Sequence, residues 1–260
     1  FAGDVGKFAF GGVVSLALLA GVPWQAPVVG FGVVAIFTAL AVLTLVADSR
    51  VHAPQLRKAS GWGIRDRRGF AALCLIEVLD SSTRTAFLTF IAFLLLGKGL
   101  PEHWAVLSVP LVLVGGMAGK LACGMLAERL GIARMIVLTE LATDAGILAT
   151  LALPGLGAFL LLPLLGVVLQ GTSSVLYATI GEYVDPGRLP RAFGFFYTIG
   201  SVCGIAAPLG YGLLGNHYGV QAIVALMGVA ILLTLPLTLL LVKSSTPSEG
   251  EPQRAGVRAE

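Results

Sequence analysis

Glu77, Asp80 and Arg84 stand within two helical turns of one another in an otherwise apolar stretch, GFAALCLIEVLDSSTRTAFLTFIAFLLLG, residues 69–97. At 100° per residue the three fall within about 60° on one helical face, and Ser81 extends the same stripe. Asp80 and Arg84 are one turn apart and can pair, which leaves Glu77, roughly 12 Å from the start of the stretch by helix rise, as the less neutralised carboxylate. Burial disfavours the charged form of a carboxyl group, so a carboxylate with an incomplete set of partners can trade a proton. That is the chemistry of a proton-coupling or substrate site. The competing reading is a structural ion-pair cluster that holds this helix to its neighbours.

A second stripe, in LLQGTSSVLYATIG, carries Gln170, Ser173, Ser174 and Tyr177 at i, i+3, i+4 and i+7, a neutral hydrogen-bonding face. Such a face can line a substrate path, and it can equally hold helices together. Glu140 and Asp144 are one turn apart and like-charged, so they need a cation nearby, and Lys120 on the preceding apolar stretch is a candidate. Lys120 can also extend its stem to the membrane interface. These three read as structural charges.

The elements that must position these residues follow from composition. Hydrophobic residues make up 57% of the 260 positions and charged residues 12%, with a mean hydropathy of +0.92, so water is not the main solvent of this chain. The net charge of +3 gives no basis for nucleic-acid binding. Cys74, Cys123 and Cys203 all lie in apolar stretches without zinc-ligand spacing, and neither a disulfide, a metal nor a cofactor is expected. His52, His103 and His217 fall in loops or at span ends, and no nucleophile at membrane depth has an evident base, so the chain is not expected to be an enzyme.

A spanning helix needs about 20 apolar residues. Eight such runs are predicted, near 4–21, 28–46, 69–97, 104–126, 133–153, 157–181, 192–214 and 219–242. The chain is expected to be an all-α, multi-pass membrane protein in contact with the lipid bilayer. Position 1 is Phe, in a Gly-rich apolar run without the features of a signal peptide, and a start inside a longer protein is expected. Residues 1–46 then hold two helices, 47–68 a long polar loop, 69–242 a six-helix unit, and 243–260 a disordered tail. Arg50, Arg57, Lys58, Arg65, Arg67, Arg68, Arg129, Arg134, Arg188, Arg191 and Lys243 fall on one side of this alternation and only Lys98 on the other. The long loop and tail are therefore expected in the cytoplasm, with the protein in the plasma (inner) membrane. Trp24 and Trp104 sit at the predicted outer boundary. Segments 18–36 and 213–231 echo one another as helix end, turn and helix, as in transporters built from repeats. Gly115, Gly116, Gly119, Gly200 and Gly204 mark expected close helix contacts.

Three stretches resemble the major facilitator superfamily. GMLAERLGIAR (124–134) is similar to its cytoplasmic loop signature, with Gly124, Glu128, Arg129, Gly131 and Arg134 in order. RAFGFFYTIG and GSVCGIAAPLGYGLLG (191–215) are similar to a Gly/Pro-rich antiporter helix, and AGDVGKFAFGG (2–12) looks like the start of the fifth helix of a drug-efflux-like branch. The resemblance implies helices 5 to 12 of an expected twelve, with the first four, and the partner surface they provide, upstream. It also implies that the Glu77 and Gln170 stripes face a central cavity, while the helix of Glu140 and Asp144 lies outside it. A gate of Glu128 and Arg129 with Asp4 and Lys7 across the interface between halves is a further implication, alongside plain helix capping. The function implied is a secondary transporter of small molecules, proton-coupled efflux by alternating access. A uniporter or importer, and more remotely a non-transporting scaffold or receptor, stay open.

Overall fold

The computed structural model describes residues 2–46 and 61–245, with side chains described for 5–45 and 61–241. The 47–60 part of the long loop and the tail from 246, with Arg50, Arg57 and Lys58, lie outside the described residues. The helices are α1 (Ala2–Leu19), α2 (Gln25–Val46), α3 (Arg67–Gly97), the single turn α4 (Glu102–Ala105), α5 (Ser108–Leu130), α6 (Ile132–Ala152), α7 (Gly155–Tyr183), α8 (Leu189–Ile231) and α9 (Thr234–Ser245). Six helical stretches are long and apolar enough to cross a membrane, and Val5–Leu19 is a shorter apolar helix.

The last of the six stretches, Pro186–Leu241, holds two of the predicted spans. It is broken at Gly219, whose φ of 81° lies in the left-handed region that a side chain would oppose. Before the break, Leu189, Ala192 and Phe196 pack in a cluster with Phe70, and Ala207 and Tyr211 pack in a second cluster with Leu94. After it, Val220, Ile223 and Val224 join the Leu94 cluster, and Leu237 and Leu241 return to the Phe70 cluster. The chain therefore crosses the bundle and comes back. All eight predicted spans are helical, and the fourth begins later than predicted because α4 and the bend at Leu107 occupy its first turn.

Each end of α3 is anchored by polar groups. Asp66 caps its start, its carboxylate accepting from the backbone N–H groups of Arg68 (2.9 Å) and Gly69 (3.1 Å). At the other end, Lys98 Nζ donates to the carbonyl oxygens of Leu151 (2.7 Å) and Leu153 (2.6 Å). Those carbonyls terminate α6 and have no partner within the helix, so Lys98 both satisfies them and ties α3 to α6.

Between the two apolar clusters runs a polar layer. On α3 it falls between Ile76 and Ala86, on α6 between Ile136 and Ile147, and on α7 between Leu169 and Val175. It contains Glu77, Asp80, Ser81, Thr83, Thr139, Glu140, Thr143, Gln170, Thr172 and Ser173, all buried. Water at either end is separated from this layer by packed hydrocarbon within the α3–α9 unit, so its polar groups must be satisfied internally or through a cavity.

Glycines set how closely the helices cross there. A side chain on Gly115 or Gly119 of α5 would run into the carbonyl groups of Pro163 or Val167 on α7, and one on Gly166 would meet Val112. The α5–α7 crossing is thus backbone against backbone. α1 lies along α5, with Gly11 against Leu113 and Ser15 Oγ donating to the Val106 carbonyl at 3.0 Å. α2 buries none of its spanning window and touches α1 through the Phe10–Phe31 ring pair.

Candidate functional site

A cavity of about 400 Å³ opens in the polar layer. α3 contributes Glu77, Ser81, Arg84, Thr85 and Leu88; α7 contributes Gln170, Ser173 and Tyr177; α8 contributes Tyr197, Gly200, Ser201 and Gly204. α5 adds Leu113 and Lys120, and α1 adds Lys7. Two glycines make the room. The side chain of Gln170 lies over Gly116, and the carboxylate of Glu77 lies against Gly200, where a Cβ would displace it. Ser81 Oγ donates to the Gly200 carbonyl at 2.9 Å and fixes α8 beside α3.

Glu77 is 1% exposed, and its Oε2 has no hydrogen-bond partner among the described residues. Arg84 Nη1 lies 3.3 Å from Asp80 Oδ2. The pair is an ion pair without hydrogen-bond alignment, since the same Asp80 oxygen makes no hydrogen bond that meets the angular requirement. Asp80 is 2% exposed and does not border the cavity; it stands behind Arg84, inside the α3–α9 unit. Arg84 is also close enough to Glu77, Glu140 and Tyr177 to interact with them electrostatically, which makes it the hub of the layer. Carrying a charge to mid-membrane costs about 2.5–3.5 kcal/mol on insertion scales, and pairing with Asp80 offsets part of it. Tyr177 stacks on Phe193 at 6.4 Å and meets Phe196 edge to face at 5.3 Å, forming an aromatic wall at the Phe70 end.

Several residues stand apart from where spacing and resemblance put them. Ser174, one residue and 100° from Ser173, borders a separate groove with Gly124, Glu128, Gly131 and Arg134. Arg129 is exposed beside that groove. Lys7 is on the wall of the central cavity, away from Glu128. The register of α1 on α5 is the reason: Gly11 meets Leu113 and Ser15 meets Val106, so the antiparallel continuation brings Lys7 to the level of Lys120. Glu128 is a further eight residues on, about 12 Å by helix rise. The Asp4 side chain lies outside the described residues.

Glu140 is fully buried, and neither carboxylate oxygen has a hydrogen-bond partner among the described residues. It interacts electrostatically with Asp80, Arg84 and Glu77, so the α6 carboxylate belongs to the same buried layer, although not to the cavity wall. Asp144, half-buried, packs against Gly228. Lys120 faces the cavity. The sequence reading did not single out Tyr197 and Ser201 of α8. Their signal is a stripe of Tyr197, Gly200, Ser201 and Gly204 at i, i+3, i+4 and i+7, which a search for charged residues passes over.

The sequence model of the Major Facilitator Superfamily matches residues 121–259, more than half of the chain. The chain belongs to the major facilitator superfamily. No curated protein matches it at a significant level. As a member of this superfamily it is an integral membrane transporter, a family of transporters rather than enzymes, acting on small molecules and embedded in lipid. The match begins in α5 and continues through α6 to α9, so it covers the Gly124-to-Arg134 stretch, the Gln170 stripe and the α8 wall.

Proposed function

We propose that this superfamily member is a proton-coupled exporter of small, drug-like or metabolite molecules, working by alternating access with the α3–α8 cavity as its transport path. The observation that carries the reading is Glu77: a carboxylate at mid-bundle, 1% exposed and bordering a cavity, with one oxygen lacking a protein partner among the described residues. A group so placed exchanges its proton with cavity water, and its charge state changes the pull on Arg84 beside it. Gln170, Ser173 and Tyr177 contact the transported molecule from the opposite wall. Asp80 holds Arg84 from behind.

In this reading α3 to α9 form one six-crossing half, and α1 and α2 belong to the half that rocks against it. The end marked by Arg65, Arg67, Arg68, Arg129, Arg134, Arg188 and Arg191 faces the cytoplasm of a plasma-type (inner) membrane, because basic residues are retained there. The Glu128–Arg134 segment sits at that rim. The testing experiment is flux through the full-length protein in proteoliposomes under an imposed pH gradient. Gradient-driven flux that Glu77→Gln abolishes supports the reading; flux indifferent to the gradient and to Glu77→Gln makes the protein a uniporter and overturns it.

A further inference from the structure

Three basic side chains from three helices, Lys7 of α1, Arg84 of α3 and Lys120 of α5, border one cavity. Among the described residues the only acidic side chain on that wall is Glu77. We propose that the transported molecule is a small organic anion, its carboxylate or phosphate group held between Arg84 and Lys120, with Lys7 approaching from α1. The inference rests on the reading of this cavity as the transport path.

Arg84 makes the strongest part of the case. A guanidinium offers five N–H donors in a fixed fork suited to a planar or tetrahedral oxyanion. Its one ion pair among the described residues is with Asp80, at 3.3 Å and on the side away from the cavity. Donors facing the cavity therefore remain for a ligand.

Lys120 is close enough to buried Asp80 to interact with it electrostatically, and it also borders the cavity. It is on the cavity side of α5, in the layer between the two apolar clusters, rather than at a helix end where its stem would reach the interface. Beside these charges α7 supplies neutral groups to the same wall, the Gln170 amide and the Tyr177 hydroxyl, which serve the uncharged part of an organic anion. A lipophilic cation entering the same space would meet three basic side chains against the one carboxylate of Glu77. The volume of about 400 Å³ lies at the small end of ligand pockets.

The test is ligand-dependent thermal stabilisation of the full-length protein in detergent, followed by flux in proteoliposomes. The probes are benzoate, succinate, citrate and glycerol 3-phosphate on one side, tetraphenylphosphonium and ethidium on the other. The expected result is saturable stabilisation by at least one anionic probe and by neither cation. Carboxylates acting alone, or the phosphate ester acting alone, distinguish the two headgroups. Lys120→Gln is expected to weaken the responding anion at least tenfold, and Lys120→Arg to restore most of it with unchanged ligand-free melting, which separates binding from folding. Stabilisation by the cations only, by none of the probes, or by anions undiminished in Lys120→Gln and in Arg84→Gln would overturn the inference. Gradient-driven tetraphenylphosphonium flux that depends on Glu77 would sink the anion and leave the coupled exporter standing. Anion binding without gradient-driven flux would do the reverse.

Discussion

The carboxylate of Glu77 rests against Gly200, and the Gly200 carbonyl accepts the hydroxyl of Ser81 one turn further along the same helix. One glycine of α8 thus admits the acidic side chain of α3 and anchors the residue next to it. The absence of a Cβ at position 200 is what lets the carboxylate stay buried between the two helices.

Enlarging that residue is therefore expected to act on function before fold. In Gly200→Ala the added carbon must push the Glu77 carboxylate aside, and overpacking of this kind costs about 1–3 kcal/mol. The expected outcome is a full-length protein that still melts cooperatively, with gradient-driven flux reduced at least tenfold. Gly210→Ala on the same helix, where nothing lies within 4 Å of the new carbon, is the control and should behave as wild type in both assays.

The α5–α7 crossing predicts the opposite balance. Gly115→Val and Gly119→Val each press a branched side chain into the backbone of α7, which cannot move as a flexible side chain can. Both are expected to lower the melting temperature sharply and to reduce yield, by more than Gly200→Ala does. Gly12→Ala, which meets nothing within 4 Å, should not. Differential melting in one detergent reads all four.

Lys98 is expected to matter for stability and little for transport. Its ammonium closes two carbonyls at the end of α6, and hydrogen bonds to charged groups contribute about 1.5–3 kcal/mol. Lys98→Met should lower the melting temperature by several degrees while leaving the rate of gradient-driven flux per folded molecule within twofold. By contrast the Arg65–Asp185 pair, 2.9 Å apart with both side chains about half exposed, is a surface contact, and Asp185→Ala should shift stability by less than about 1 kcal/mol.

Breaking the buried pair one partner at a time should be worse than removing both. Arg84→Leu removes the ion-pair partner of buried Asp80, and breaking such a pair costs about 3–5 kcal/mol. Asp80→Asn combined with Arg84→Leu removes the orphaned charge and should recover much of the melting temperature, without recovering transport. A double mutant as unstable as the sum of its singles would show that the two groups do not interact.

Much of this architecture is readable from the residues alone, for a physical reason. Hydrocarbon tolerates only long apolar helices, so the spans show in hydropathy, and the break at Gly219 shows as punctuation between two of them. Periodicity places Gln170, Ser173 and Tyr177 on one face, and that face borders the cavity. It could not separate Ser174 from them, because a 100° step is narrower than a helix face, and which neighbour covers that step is decided by packing. The same holds for Asp80, which lies within 60° of Glu77 yet faces the interior. Lys7 and Glu140 needed more still: the register of α1 against α5 fixes the first, and the approach of α6 to the back of α3 fixes the second. Both are relations between distant parts of the chain that no local spacing carries.

The central claim is that these ionic side chains surround a wet passage, and cysteine accessibility tests it most directly. In a full-length background with Cys74, Cys123 and Cys203 replaced by Ala, Ser201→Cys places a thiol on the cavity wall, while Leu121→Cys, beside Lys120 but 52% exposed on the outer surface of the bundle, serves as the dry reference. A membrane-impermeant sulfonated methanethiosulfonate applied to intact vesicles should modify Cys at 201 at least tenfold faster than Cys at 121. A thiol at 201 that stays unmodified from both sides of the membrane, or one no faster than at 121, would contradict the account.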